Sequence, residues 1–242
     1  MNICVIGGGG PTGKFGRDFC DRARDEGHNV YVLSHKNHKQ TDHRQMWANF
    51  KNIENVLDTF KKLTADVECI DIFIYNSSPG TGPFPHNENH FKSTSAASIK
   101  GWHDTIDVYG VIPHLLCVTA LNKMSSTSKL VFLVSGLAMN FDRDTWTEAV
   151  GYSAGKATQI FLMLALSVHN DRGAIATAIA PHFDYNNVGS YKSTFDNVYQ
   201  YILNIDQQQN GKILRIQEIN PKVDNSLSAR LQKIGKPINK IL

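Results

Sequence analysis

"NICVIGGGGPTGKFGRDF", residues 2–19, is the stretch on which the fold turns. Ile3, Cys4, Val5 and Ile6 make a short continuous apolar run, the pattern of a strand buried on both faces. The run ends in four glycines. Beyond them Phe15, Phe19 and Ala23 recur at four-residue spacing, one face of a helix, and Gly27 is placed to end it. Gly8, Gly10 and Gly13 fit G-x-G-x-x-G, and Gly10, Gly13 and Gly16 fit G-x-x-G-x-x-G. Both registers serve one need. The chain turns sharply, the backbone approaches a pyrophosphate, and a helix starts with free N–H groups aimed at the anion. Such a glycine motif is weak in isolation and much stronger between a first strand and a first helix. Thr12 and Lys14 stand inside it as further candidate ligands.

Outward from this unit, short apolar runs alternate with helical patterns. Strands are predicted over Asn2–Gly7, His28–Ser34, Gln45–Phe50, Cys69–Asn76, Lys129–Ser135, Ala174–Pro181 and Lys212–Ile216. Helices are predicted after the glycines, over Asn52–Leu63, over Trp102–Met124 with a bend at Pro113, over Tyr152–Val168 and over Thr194–Ile205. Seven near-continuous apolar strands with alternating helices predict a doubly wound α/β fold: three layers around a mostly parallel seven-stranded sheet. The connection "HKNHKQTDHR" is too short for an ordinary crossover helix and predicts a loop or a single turn. "SSPGTGPFPHNENHFKSTSAAS", after the fourth strand, is long and polar and reads as a functional flap or a partly disordered segment. Residues 217–242 read as a surface helix and tail.

No linker or shift of composition divides the 242 residues, so one domain over 1–242 is expected. Hydrophobic residues make up 41% and charged residues 19%, enough apolar side chains for a substantial core. The net charge of +3 is small and the basic residues are scattered, so no nucleic-acid surface is expected. Cys4, Cys20, Cys69 and Cys117 lie apart in apolar stretches and form no Cys-x-x-Cys pair, as for small buried hydrophobes in a reducing cytoplasm. No signal peptide and no membrane-spanning run is read, and the expectation is a cytoplasmic protein without membrane partners. "HNENH", residues 86–90, lacks the helical H-E-x-x-H arrangement, and no metal site is expected.

The end of the second strand bears on the cofactor. An acid there would bind an adenosine ribose 2′-OH, as NAD enzymes do. The chain reads Leu33, Ser34, His35, Lys36 instead. Ser34 and Lys36 could hold a 2′-phosphate, with Lys14 adding charge and His35 alongside, so NADP is favoured and NAD remains possible.

"YSAGK" (residues 152–156) then joins the glycine loop, "DIFIYNSS", "LVFLVSG" and "AIAPHF" in one order along the chain. In that order the chain resembles the short-chain dehydrogenase/reductase family, whose NAD(P)-binding domain is Rossmann-like, from Asn2 to about Ile216. The resemblance implies a catalytic set of Ser135, Tyr152 and Lys156. Tyr152 and Lys156, four apart, share a helix face. The ammonium would favour tyrosinate, so Tyr152 could give a proton to a carbonyl oxygen or take one from an alcohol. Ser135 would hydrogen-bond that oxygen, and Lys156 would also bind the nicotinamide ribose. Asn76 and Ser77 are implied near the cofactor ribose, Asn49 near the adenine, and Pro181 at the nicotinamide-side loop. The chain departs from the family at Tyr109, where Asn usually supports a water in the proton relay. It departs again at His182 for Gly, at Asn186 for Thr, and at Gly9 for the Thr before the glycine register.

The implied function is an NADP-dependent oxidoreductase interconverting a carbonyl and an alcohol on a small or medium organic substrate. A homodimer or homotetramer is implied, through the two long helices after strands four and five. The departures favour one alternative, a non-catalytic dinucleotide-binding relative acting as a redox sensor or partner-binding protein. Phe183, Tyr185 and Tyr191 place aromatic side chains in the segment expected to cover the substrate. Asp142, Asp144 and Glu148 read as a solvated loop.

Overall fold

Seven strands form one sheet in the order β3-β2-β1-β4-β5-β6-β7, and every neighbouring pair is parallel. They are β1 (Asn2–Ile6), β2 (Asn29–Ser34), β3 (Gln45–Trp47), β4 (Ile72–Tyr75), β5 (Lys129–Leu133), β6 (Ile175–Pro181) and β7 (Ile213–Ile216). In this computed structural model the described residues are 1–7, 14–35, 44–77, 102–134, 150–181 and 188–216, without the side chains of residues 150–152. The predicted flap, most of the connection before β3 and the predicted tail at 217–242 lie outside them.

The period-two alternation of β1 sorts the helices into layers. Ile3 and Val5 face one side, with Phe15 and Phe19 of α1 (Lys14–Asp25) and Tyr191, Phe195 and Tyr199 of α5 (Val188–Asn204). Cys4 and Ile6 face the other, with α2 (Ile53–Leu63), α3 (Trp102–Leu121) and α4 (Val150–His169). Both faces of β4 are buried along its whole length, which is why it reads as "IFIY" with no polar position. Each such side chain removed from water contributes roughly 1.5–3 kcal/mol. All four cysteines are free, and Cys4, Cys20 and Cys117 are buried. Burial pushes the Cys4 and Cys20 thiols up to about 12.

Local chemistry sets the helix ends. The Asn52 side chain accepts from the Asn55 N–H and caps α2. Gly27 closes α1 at φ +81°, with the His28 N–H reaching back to the Ala23 carbonyl. Four elements differ from the sequence reading. β4 starts at Ile72, not at Cys69, and ends at Tyr75. β3 stops at Trp47, because the turn from Asn49 to Asn52 follows at once. α5 starts at Val188, not at Thr194: Tyr191 stacks on Phe195 at 6.1 Å and opens the buried face one turn earlier. In α3 the irregularity precedes Pro113. Residues Asp107–Val111 widen into a π-turn, with the Ile112 N–H bonding the Asp107 carbonyl. Pro113 has no N–H to give the Tyr109 carbonyl four residues back, so the regular ladder is broken at that point. α3 is also long and apolar enough to cross a membrane by length and composition, where the sequence reading found no such run. Its inner face is packed in the core through Val108, Ile112, Leu116 and Ala120.

Candidate functional site

β1 and β4 are neighbours although far apart in sequence, so the strand order reverses between them. In open α/β sheets a ligand crevice lies at the carboxyl ends of such a pair. Three strand ends are tied together there. The Gly7 N–H donates to the Leu33 carbonyl at 2.8 Å, the Asn76 N–H to the Ile6 carbonyl at 2.9 Å, and the Asn76 amide to the Gly7 carbonyl at 3.2 Å. Gly7 adopts φ +91°, which starts the sharp turn expected of the glycine loop. Ser77 is 1% exposed. Its hydroxyl lies near the Tyr75 phenol and has no hydrogen bond of standard geometry among the described residues. A buried hydroxyl left over at the mouth of the crevice fits a ligand hydroxyl such as that of a ribose. Gly8, Gly10, Thr12 and Gly13 lie outside the described residues.

At the β2 end, Ser34 is buried and its carbonyl accepts from the Ala48 N–H. The His35 ring lies 5.9 Å from Phe50, and its carbonyl accepts from the exposed Trp47 indole at 2.7 Å. Asn49 receives the Lys51 N–H on its side-chain oxygen and gives its own N–H to Asn55. Lys36 lies outside the described residues. Lys14 is engaged by α5: its ammonium sits 3.7 Å from the centre of the Tyr191 ring, whose hydroxyl donates to Asp18.

Lys156 lies on the face of α4 turned to the sheet and is 4% exposed. Its ammonium donates to the Leu133 carbonyl at the end of β5 (2.7 Å) and to the Gln159 side-chain oxygen (3.1 Å). The Tyr109 ring stands over it, 5.1 Å from nitrogen to ring centre. Burial pulls its pKa down to about 7 from the ordinary 10.5. Tyr109, the departure noted in the sequence, is 1% exposed and fills the space in front of Gly155. The π-turn that carries it is held from β4, where the Tyr75 phenol donates to the Val108 carbonyl. Burial raises that phenol's pKa well above the ordinary value, so it stays a donor.

Tyr152 is one turn before Lys156 on α4, with its side chain outside the described residues, and Ser135 lies outside them. Pro181 ends β6 beside Ile216, and His182 and Asn186 lie outside them. Gln159 and Tyr75 were not singled out in the sequence. A polar residue three positions after Lys156, on a face continued by Ile160 and Met163, was the available signal for Gln159. No group of three or more metal-ligating side chains occurs among the described residues.

No family model matches the chain, and no curated protein matches its sequence. Solved structures do match in fold. A short-chain dehydrogenase/reductase, glucose/ribitol dehydrogenase, from Brucella melitensis has 17% identity and a TM-score of 0.68, over 89% of this chain and 94% of that one. A putative oxidoreductase from Escherichia coli K-12 has 13% identity and a TM-score of 0.68 over the same shares. A short-chain dehydrogenase from Leptospira borgpetersenii, solved with bound NAD+, has 14% identity and a TM-score of 0.67, over 90% and 91%. The fold is therefore that of the short-chain dehydrogenase/reductases, as the motifs implied.

Proposed function

We propose that this chain is an NADP-dependent oxidoreductase of the short-chain dehydrogenase/reductase type, interconverting a carbonyl and an alcohol on a small or medium organic substrate. The observation that carries the reading is Lys156. A buried ammonium stands one helical turn after Tyr152, at the carboxyl end of β5, on the edge of the sheet that holds Gly7, Asn76 and Ser77. A buried lysine needs a purpose, because burial opposes its charge.

In this reading a nicotinamide supplies or accepts the hydride. Tyr152 gives a proton to the carbonyl oxygen in reduction and takes one from the alcohol in oxidation. Ser135 hydrogen-bonds the same oxygen. The Lys156 ammonium favours the tyrosinate of Tyr152 by its charge. Gly8, Gly10, Thr12 and Gly13 offer backbone to a pyrophosphate, Asn76 and Ser77 face the ribose, Asn49 the adenine, and Pro181 the nicotinamide side. Ser34, His35, Lys36 and Lys14 offer a hydroxyl, an imidazole and two cations to a 2′-phosphate where an NAD enzyme would have an acid. Four free cysteines suit a reducing cytoplasm. Ile106 and Val118 on α3, and Phe161 and Val168 on α4, are exposed apolar side chains on the two helices proposed to join copies of the chain in a homodimer or homotetramer.

The test is binding of NADPH and NADH by the purified protein, with oxidation of each followed against a panel of ketones and aldehydes. Tighter NADPH binding together with turnover on a carbonyl supports the proposal. Binding of neither dinucleotide overturns it. Binding without turnover across the panel favours the sensor alternative.

A further inference from the structure

Gln159 is fully buried and lies on the core face of α4. An apolar residue would pack there without leaving a polar atom over. Gln159 does leave one: its amide nitrogen has no hydrogen-bond partner among the described residues. Burying such an unpaired donor is costly. The amide oxygen is what offsets it, facing Lys156 at 3.1 Å. Chemistry fixes this orientation, since an ammonium has only donors and must meet the oxygen. On the other side stands the Tyr109 ring, which presents its face to the cation and occupies the room a side chain at residue 155 would need. The π-turn that carries the ring is held in turn by the Tyr75 hydroxyl, which donates to the Val108 carbonyl.

The geometry points to Gln159 and Tyr109 as positioning residues for Lys156: the Gln159 oxygen holds the ammonium in its charged form, and the Tyr109 ring closes it off from water. The consequence for catalysis rests on the oxidoreductase reading; the geometry does not. Among the described residues, the Leu133 carbonyl from β5, the Tyr109 ring from α3 and the Gln159 amide from α4 itself face the ammonium. No carboxylate joins them among the described residues. The Gln159 oxygen is a neutral acceptor for the ammonium. The pH at which Lys156 loses its charge, and with it the help given to Tyr152, then depends on Gln159 and Tyr109.

The experiment reads the lysine directly. Protein labelled with ¹³C at lysine Cε is titrated by NMR, and the Lys156 signal is the one missing from Lys156→Met. Removal of the acceptor in Gln159→Met moves the Lys156 midpoint down by about one pH unit or more, because the charged form loses a hydrogen bond. Gln159→Glu, nearly the same shape, moves it up by at least as much. Tyr109→Ala lets water reach the ammonium and also moves it up. Should Gln159→Met not fold, the isosteric Gln159→Glu carries the same test with opposite sign. An unchanged midpoint in the Gln159 variants overturns the inference. Shifted midpoints in a protein that binds no NADPH leave the inference standing and sink the oxidoreductase reading. Turnover with NADPH together with a Lys156 midpoint that ignores the Gln159 variants does the reverse.

Discussion

Gly7 and Ser77 meet at backbone distance: a β-carbon placed on Gly7 would stand 2.7 Å from both the Cα and the N of Ser77. The carboxyl ends of β1 and β4 are therefore closer than any other residue at position 7 allows. Gly27 has a similar φ of +81° and open space around it. Gly27→Ala is expected to cost about 1 kcal/mol, the strain of a left-handed alanine. Gly7→Ala adds a clash with backbone that cannot move aside, for about 3 kcal/mol or more in total. Urea unfolding of the two variants measures the difference, and equal costs would refute the close approach.

Gly155 and Tyr109 should be coupled in sign as well as size. A β-carbon at residue 155 would lie 2.2 Å from Tyr109 Cδ2. Gly155→Ala alone is expected to destabilise by about 2 kcal/mol through overpacking. In a Tyr109→Ala background the clash is gone and helix propensity favours alanine by about 1 kcal/mol. The same substitution should then stabilise. A double-mutant cycle in urea gives the answer, and additive effects would count against the contact.

Tyr152→Phe removes one oxygen and keeps the ring. Folding and cofactor binding are expected to survive, while turnover falls by about 10²-fold or more, the usual worth of a positioned general acid. Lys156→Met should lower turnover as much and weaken cofactor binding too. Single-turnover hydride transfer and cofactor titration separate the two effects. Unimpaired turnover in Tyr152→Phe would remove Tyr152 from the mechanism.

Lys156 also makes a prediction about stability. Its folded pKa of about 7 lies below the ordinary 10.5, so between these values the unfolded chain carries a proton that the native protein lacks. Stability from this site therefore rises with pH across that window, and the full penalty of burying the charge is felt below it. Lys156→Met removes the dependence. The stability of the parent relative to this variant, without cofactor, should climb by a few kcal/mol from pH 6 to pH 10. Parallel denaturant curves that keep a constant gap would contradict the burial of the charge.

Phe161 is 71% exposed on α4, which packs against the π-turn of α3. In a dimer joined through these helices, Phe161→Glu buries a charge at the contact and should release monomers of 27.0 kDa. Light scattering at micromolar concentration reads this directly. A parent protein already monomeric would dispose of the assembly proposed here.

The strands were legible because β1, β4, β5 and β6 are buried on both faces, and continuous runs such as Ile72–Tyr75 admit few other readings. The ends were less legible. Gly189 and Ser190 look like loop until Tyr191 is seen packed against Phe15 and Phe195, a tertiary contact that no local pattern reports. Pro113 announced a disturbance in α3 but not its form, a π-turn that a phenol from β4 holds in place. At the site, Lys156 was named from its spacing to Tyr152. Its partners could not be, since the Leu133 contact is made by backbone and Gln159 resembles any polar residue on a helix until its face is known to be buried.

The all-parallel order of the sheet also dictates how the chain must assemble. β2 and β3 can pair with β1 soon after synthesis, but the other edge of β1 waits for Ile72 and its neighbours, and β4 through β7 add outward from there in sequence. Non-local parallel pairing is slow, because the loop must close before any contact rewards it. The sheet thus has an amino-terminal half (β1–β3) and a carboxyl-terminal half (β4–β7), whose strands meet along the seam between Ile3–Ile6 and Ile72–Tyr75. A molecule lying across the carboxyl ends of those two strands would staple the halves together. It would slow their separation and raise amide-exchange protection along the seam more than at β3 or β7.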